Sequence, residues 1–211
     1  MHKLFKNPTI MKLIDRIKNI ILSPNTEWGI IDQESDTPIS LLKNYLLPLG
    51  IAGAIATFIG SGIIGTNVMG VKIGGTLTYG INQALISLLA LVIGYYIAIY
   101  VVDLLAPTFK SEKDLNKTAQ LVAYSNTPAL LGALLAILPS ISWIGALFGL
   151  YGFYLLYIGL PIMKKTPEQQ RIPYIIVTIL VMLVLYFIVA AILAAILMPI
   201  FGISRVSEYG I

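Results

Sequence analysis

The sequence predicts an all-α polytopic membrane protein, a bundle of five transmembrane helices with an N-terminal amphipathic helix. Of its 211 residues, 57% are hydrophobic and only 11% are charged, whereas an ordinary soluble domain carries about 25% charged residues. Acidic and basic residues are absent from four long runs, at 44–71, 73–102, 118–163 and 172–204. Each run exceeds the roughly 20 apolar residues that a transmembrane helix needs, and the third has room for two helices. A soluble core of this size cannot hide so many uncharged runs.

Residues 1–44 are predicted to form a segment outside the bilayer that contains the amphipathic helix. Between Ile10 and Ile21, apolar residues recur at helical spacing, and charged residues such as Lys12 and Arg16 fill the other face. Such a helix can lie among lipid headgroups with its basic face toward anionic lipid. It can also pack its apolar face on the ends of the spans or on another copy.

The stretch SPNTEW, residues 23–28, follows this helix. Ser23 is typical of an N-cap and Pro24 of a first helical residue, so a second short helix is predicted here. Trp28 is then an interface anchor, placed where this second helix meets the membrane or the bundle.

The five spans are predicted at residues 45–66, 80–106, 119–138, 141–163 and 173–200, followed by a short external tail at 201–211. Thr37 and Pro38 resemble an N-cap and first helical residue leading into the first span. Pro48 predicts a kink near its start. Pro107 ends the second span, and Pro139 lies in the tight turn between the third and fourth.

Twelve of the 14 Lys and Arg residues fall on one side of this topology. They lie in the N-terminal segment and in the connections after Pro107 and after Met163. The other side receives only Lys72 and Arg205. The positive-inside rule therefore predicts a multi-pass protein of the cytoplasmic (inner) membrane, with the N-terminus in the cytoplasm and the C-terminus outside.

The stretch GSGIIG, residues 60–65, matches a dinucleotide-binding fingerprint. No strand precedes it and no acidic residue follows about twenty positions later, so the match is rejected. Small residues at four-residue spacing let helices approach closely. The glycines predicted to pack helices in this way are Gly60, Gly145 and Gly149.

A candidate polar intramembrane cluster is formed by Asp103, Gln120, Tyr124, Asn126 and Pro128. Asp103, near the end of the second span, can pair with a lysine of a nearby connection or take part in ion or proton transfer. The polar start of the third span can line a cavity or make hydrogen bonds between helices. Pro128 frees a backbone carbonyl that such groups can satisfy.

The sequence contains no cysteine and only one histidine, His2. It has no Walker motif, no HExxH and no GxSxG. The tyrosines recur at helical spacing in apolar surroundings, which indicates packing and not stacking on bases. No catalytic residue, cofactor or metal site is predicted, and nucleic acid is not an expected partner.

Five pieces in order carry a family resemblance: IDRIKNIILSPNTEW, LLKNYLLPLGIAG, LLAPTF, KTAQLVAYSNTPALL and LYGFYLLYIGLPIMKKTP. They resemble the Yip family, the Ypt/Rab-interacting membrane proteins, in its bacterial or archaeal form. Tyr124 and Pro128 match the Y-x-x-x-P feature of the family's third span. The resemblance implies five spans, a cytoplasmic N-terminus and a short external tail. Eukaryotic relatives bind Rab-type GTPases through their cytoplasmic regions, but the short N-terminal region here argues against carrying GTPase binding over.

Two functional hypotheses follow, and neither is an enzyme. The first is a membrane scaffold or organiser with protein or lipid partners, including further copies of the chain. The alternative is a small transporter, channel or lipid-handling protein with a polar cavity between the second and third spans.

If Trp28 anchors the N-terminal segment, Trp28→Ala should loosen that segment and leave the five spans inserted. Limited proteolysis of residues 1–40 measures this loosening. Unchanged protease accessibility in the variant would show that Trp28 is no anchor.

Overall fold

A computed structural model of the protein describes residues 8–68 and 71–200. Two helices precede the bundle, α1 at Pro8–Leu22 and α2 at Pro24–Ile31. As predicted, a proline opens α2 and Ser23 stands at its N-cap. The tail predicted at residues 201–211 lies outside the described residues.

Five helical stretches are long and apolar enough to cross a membrane, which confirms the predicted fold class. In chain order, the first to fifth spans are Pro38–Ile64, Leu77–Phe109, Leu115–Ile137, Pro139–Lys164 and Glu168–Leu193. Their α-helices are α3 (Pro38–Leu41), α4 (Leu47–Phe58), α5 (Leu77–Leu105), α6 (Leu115–Ser125), α7 (Thr127–Gly132), α8 (Ser142–Lys164) and α9 (Glu168–Ile200). Short 3₁₀ turns extend these helices at Ala106–Phe109, Ala133–Ile137 and Pro139–Ile141.

The first three spans begin several residues before the predicted positions. Thr37, Thr76 and Asp114 each accept a hydrogen bond from a backbone N–H group in the first turn of the helix that follows. Capping lets these helices start among polar residues. In the first and third spans the charge-free run begins only after Lys43 and Lys117, which lie inside the helix, so it places these two starts too late.

Before Pro48, where the sequence predicts a kink, the helix contains a π-helical turn at Leu42–Leu46. At its end, the backbone N–H of Leu47 donates to the carbonyl oxygen of Leu42, five residues earlier. Proline has no N–H, and its ring clashes with the carbonyl four residues before it. The wider turn accommodates both effects without ending the span.

A two-stranded antiparallel hairpin, which the sequence analysis did not predict, connects the first two spans. Strand β1 at Thr66–Val68 pairs with β2 at Val71–Ile73. Gly65, before β1, has a φ of 71°, a value that favours glycine and turns the chain sharply out of the first span. Strands of three residues are too short to show an alternating pattern.

Most of the largest fully buried side chains gather at one end of the bundle. This end carries α1, α2 and the two connections that join the second to the third span and the fourth to the fifth, and we call it the basic end. The apolar residues buried there include Ile20, Trp28, Ile31, Leu46, Leu121, Leu160 and Tyr174. Along the spans, large apolar side chains such as Ile55, Leu147 and Leu180 remain exposed, as lipid contact requires.

Two of the three predicted packing glycines lie at close helix contacts. A Cβ on Gly60 would lie 1.9 Å from the carbonyl oxygen of Ala136, and one on Gly145 would lie 2.4 Å from that of Gly132. Gly149 differs from the prediction, because a Cβ there would meet no atom within 4 Å. It lines a groove of about 300 Å³ between the third and fourth spans.

This difference gives a matched pair of variants on α8. Gly145→Ala should lower the free energy of unfolding by roughly 1–3 kcal/mol, because the new methyl group overpacks a backbone contact. Gly149→Ala should be neutral or stabilising by up to about 1 kcal/mol, because alanine favours a helix over glycine. Thermal unfolding in detergent micelles measures both. Equal melting temperatures for the two variants would contradict the Gly132–Gly145 contact.

Candidate functional site at the basic end

A buried ion pair joins the second and fourth spans at the basic end. Lys164 Nζ lies 2.7 Å from Asp103 Oδ1, and the two side chains are 0% and 7% exposed. The same carboxylate oxygen accepts the backbone N–H of Asp114 at 3.0 Å and lies 2.9 Å from the hydroxyl of Thr118. Both of these groups belong to the start of the third span. Asp103 therefore holds three spans together, and its charge is balanced inside the protein.

The connections on either side of this ion pair are fixed to each other. Lys165 adopts a left-handed conformation with a φ of 49°, which ends α8. The carbonyl oxygen of Lys164 then accepts the N–H of Glu112 at 2.8 Å. The hydroxyls of Ser111 and Thr166 lie 2.9 Å apart. These contacts cover the Asp103–Lys164 pair with ordered chain.

Arg16 of α1 is the centre of a second charged network. Its Nη1 lies 2.5 Å from Glu27 Oε1, and its Nη2 pairs with Glu34. The guanidinium carbon lies 5.3 Å from the centre of the Tyr124 ring, a distance at which a cation and an aromatic face attract. Burial opposes the charge, but Tyr124, Glu34 and Glu27 together hold the pKa of Arg16 above its ordinary value. Arg16 therefore stays charged and crosslinks α1 and α2 to the third span.

Trp28, predicted to lie where α2 meets the membrane or the bundle, packs inside the bundle. The side chain is fully buried. A Cβ on Gly159 of the fourth span would lie 2.8 Å from Trp28 Cε2, so the glycine leaves a slot for the indole. The Tyr124 ring meets Trp28 edge-on with ring centres 6.4 Å apart. Full burial removes more apolar surface from water than a place among headgroups would.

The apolar face of α1 also packs on the bundle. Ile20 is fully buried, and Leu13 and Ile17 pack against the core. Ile14 and Leu22 remain 48% and 68% exposed. The apolar face of α1 therefore packs on the spans, one of the two predicted positions, and the exposed Ile14 and Leu22 leave contact with lipid open as well.

The predicted polar cluster separates into different places. Asp103 lies in the ion pair, whereas Tyr124 contacts the N-terminal segment. The Gln120 amide donates to two backbone carbonyls at and just beyond the end of α2, at 3.3 and 3.2 Å. Asn126 lies at the break between α6 and α7, and Pro128 is buried in the first turn of α7. Gln120 and Asp103 thus make hydrogen bonds between different elements of the structure. This is one of the two roles predicted for the cluster.

A polar cavity of about 440 Å³ lies between α1, the start of the first span and α6. Arg16, Asp36 and Tyr124 are among its lining residues. The predicted alternative placed a cavity between the second and third spans. This cavity lies instead between the first and third spans, beside α1.

The sequence predicted that Asp103 can pair with a lysine of a nearby connection, as it does with Lys164, but it did not identify which lysine or the partners of the other groups. Lys164 could have been identified as the partner of Asp103. Each residue borders an uncharged run, and the predicted topology puts both of them on the same side of the membrane. Arg16, Glu27 and Glu34 lie on separate elements, so no spacing in the sequence relates them. Thr118 was overlooked because a single hydroxyl near a helix start is common.

Removing one partner of the buried pair should leave an uncompensated charge. Asp103→Asn or Lys164→Met should each lower the free energy of unfolding by roughly 3–5 kcal/mol, and the double variant should recover part of that loss. Lys165→Gln is the control. It breaks the exposed pair with Glu112, where the side chains are 70% and 57% exposed, and solvent screening leaves such a pair little effect on stability. Thermal unfolding in detergent should rank the variants. Single variants as stable as Lys165→Gln would mean that the buried pair does not hold the spans.

Comparison with known proteins agrees with the resemblance seen in the sequence. The family model of the Yip1 domain matches residues 18–191, which include α2 and all but the last two residues of the five spans. No curated protein and no solved structure matches the chain. A family match over most of the chain, together with five apolar helices, settles the class: the protein is a multi-pass membrane protein that belongs to the Yip1-domain family.

Proposed function

We propose that the protein is a non-enzymatic membrane scaffold or organiser that holds partner proteins, or further copies of itself, at its basic end. In this proposal the basic end and the N-terminus face the cytoplasm, as the positive-inside rule indicates. The membrane is then the cytoplasmic membrane.

The observation that carries the proposal is the contrast between buried and exposed charges at the basic end. The buried charges are engaged internally, Lys164 with Asp103 and Arg16 with two glutamates. The exposed lysines Lys12, Lys18, Lys110 and Lys113 have no ion-pair partner among the described residues. Over the whole chain, the N-terminal segment and the two connections of the basic end carry twelve basic and nine acidic residues. This small excess of positive charge attracts acidic surfaces and raises the rate of encounter with them.

The groups that motivated a transport path are otherwise engaged. Asp103 is bound by an ammonium, a hydroxyl and a backbone N–H group. Gln120 donates to the backbone of the N-terminal segment. These roles are structural, and they favour a function at the surface over one along the bundle interior.

Site-specific photocrosslinking in native membranes tests the proposal. A photoreactive residue at Lys113 should give a discrete crosslink to a protein or to a second copy. The matched position is the exposed Asn67 in the hairpin between the first two spans, which should give no such product. Replacing Lys12 and Lys18 by Gln should weaken the crosslink several-fold, because it removes two exposed positive charges. Raising the salt concentration should have the same effect, because dissolved ions screen the attraction between exposed charges. Absence of a discrete protein crosslink from Lys113, or one that ignores both charge and salt, would overturn the scaffold proposal.

A further inference from the structure

We infer that the cavity beside α1 binds the headgroup of a phospholipid that carries both a phosphate and a primary amine, as phosphatidylethanolamine does. Its polar lining includes Lys12, Arg16, Asp36, Ser40, Asn44 and Tyr124. The volume of about 440 Å³ falls within the range of roughly 300–1,000 Å³ that is usual for small-molecule sites.

The charges of the lining call for a ligand with two opposite charges. Arg16 already forms ion pairs with both Glu27 and Glu34, so its guanidinium is engaged within the protein. Lys12 and Asp36 have no ion-pair partner within the described parts of the chain. A simple anion would leave the carboxylate unpaired, and a simple cation would leave the ammonium unpaired. A zwitterion matches both.

A ladder of hydrogen bonds holds the carboxylate in place. The Ser40 hydroxyl donates to Asp36 Oδ1 at 3.2 Å, and the Asn44 amide donates to the same hydroxyl at 3.2 Å. Among the described residues, Asp36 Oδ2 accepts no hydrogen bond from the protein. A primary ammonium has three donors and suits this free oxygen, whereas phosphate oxygens suit the Lys12 ammonium.

The position of the cavity favours a lipid over a soluble zwitterion. Asp36 and Ser40 flank Pro38, where the first span begins, so we expect the cavity to lie at the depth of the lipid headgroups. Farther along the span, the side chains of Ile51 and Ile55 are 48% and 55% exposed. Acyl chains attached to a bound headgroup can lie along this apolar surface. Free phosphoethanolamine has no acyl chains, so this apolar surface would not contribute to its binding.

The inference rests on the proposed function in treating the basic end as a binding surface, but it requires no protein partner. Purified full-length protein in detergent therefore tests it separately, by native mass spectrometry with added lipid. Short-chain phosphatidylethanolamine should bind saturably. Phosphatidylcholine, whose amine is fully methylated, and phosphatidylglycerol, which has no amine, should bind about tenfold more weakly, a difference of about 1.4 kcal/mol.

Variants identify the site. Asp36→Asn should reduce the affinity for phosphatidylethanolamine about tenfold, to the level of phosphatidylglycerol. Lys12→Gln should weaken both lipids. Asn44→Ala is a second variant at an exposed position and should weaken phosphatidylethanolamine several-fold if Asp36→Asn fails to fold. Lys165→Gln, which is exposed and outside the cavity, should change nothing.

Three results would overturn the inference. One is equal affinity for the three lipids. Another is unchanged phosphatidylethanolamine binding in the cavity variants that fold. The third is phosphoethanolamine binding as tightly as the lipid, which would assign the cavity to a soluble ligand.

Discussion

Burial of Trp28 against Gly159 is the contact on which the arrangement of the basic end depends. It seats α2 on the fourth span, with the Tyr124 ring of the third span at its edge. Full burial of a large apolar side chain contributes about 1.5–3 kcal/mol. Once α2 is seated, Glu27 and Glu34 reach Arg16, and the end of α2 lies over the Gln120 amide. The cavity beside α1 exists only because this segment is docked.

The third span is central because it is the most polar. Its mean hydropathy of 1.3 is the lowest of the five spans. Half of the 18-residue stretch that represents its membrane-spanning part is buried inside the protein. The fifth span has a mean hydropathy of 3.2. Only 6% of its corresponding 18-residue stretch is buried, so this span lies at the periphery. Lipid cannot satisfy polar groups, so the polar helix is surrounded by protein. One part of it faces Asp103 through Thr118, and another meets the N-terminal segment through Gln120 and Tyr124.

The fold class could be predicted because its signals are local. Uncharged runs, clusters of lysine and the SPNTEW helix start are all properties of short stretches. The hairpin was missed because its strands are too short to show a pattern. The candidate site was only partly predicted. Asp103, Gln120 and Tyr124 stood out as polar residues in apolar surroundings, but their partners come from distant elements. The seat of Trp28 depends on Gly159, and nothing in the sequence relates a tryptophan to a glycine so far away along the chain.

Tryptophan fluorescence tests the docked N-terminal segment most directly, because the chain has two tryptophans, Trp28 and Trp143. Trp28 is 0% exposed and Trp143 is 65% exposed. In lipid vesicles, the Trp143→Phe variant reports on Trp28 alone, and Trp28→Phe reports on Trp143. Trp28 should resist quenching both by brominated lipids and by aqueous iodide, whereas Trp143 should be quenched. Quenching of Trp28 by brominated lipid as strong as that of Trp143 would place the ring in the bilayer surface and contradict the docked segment.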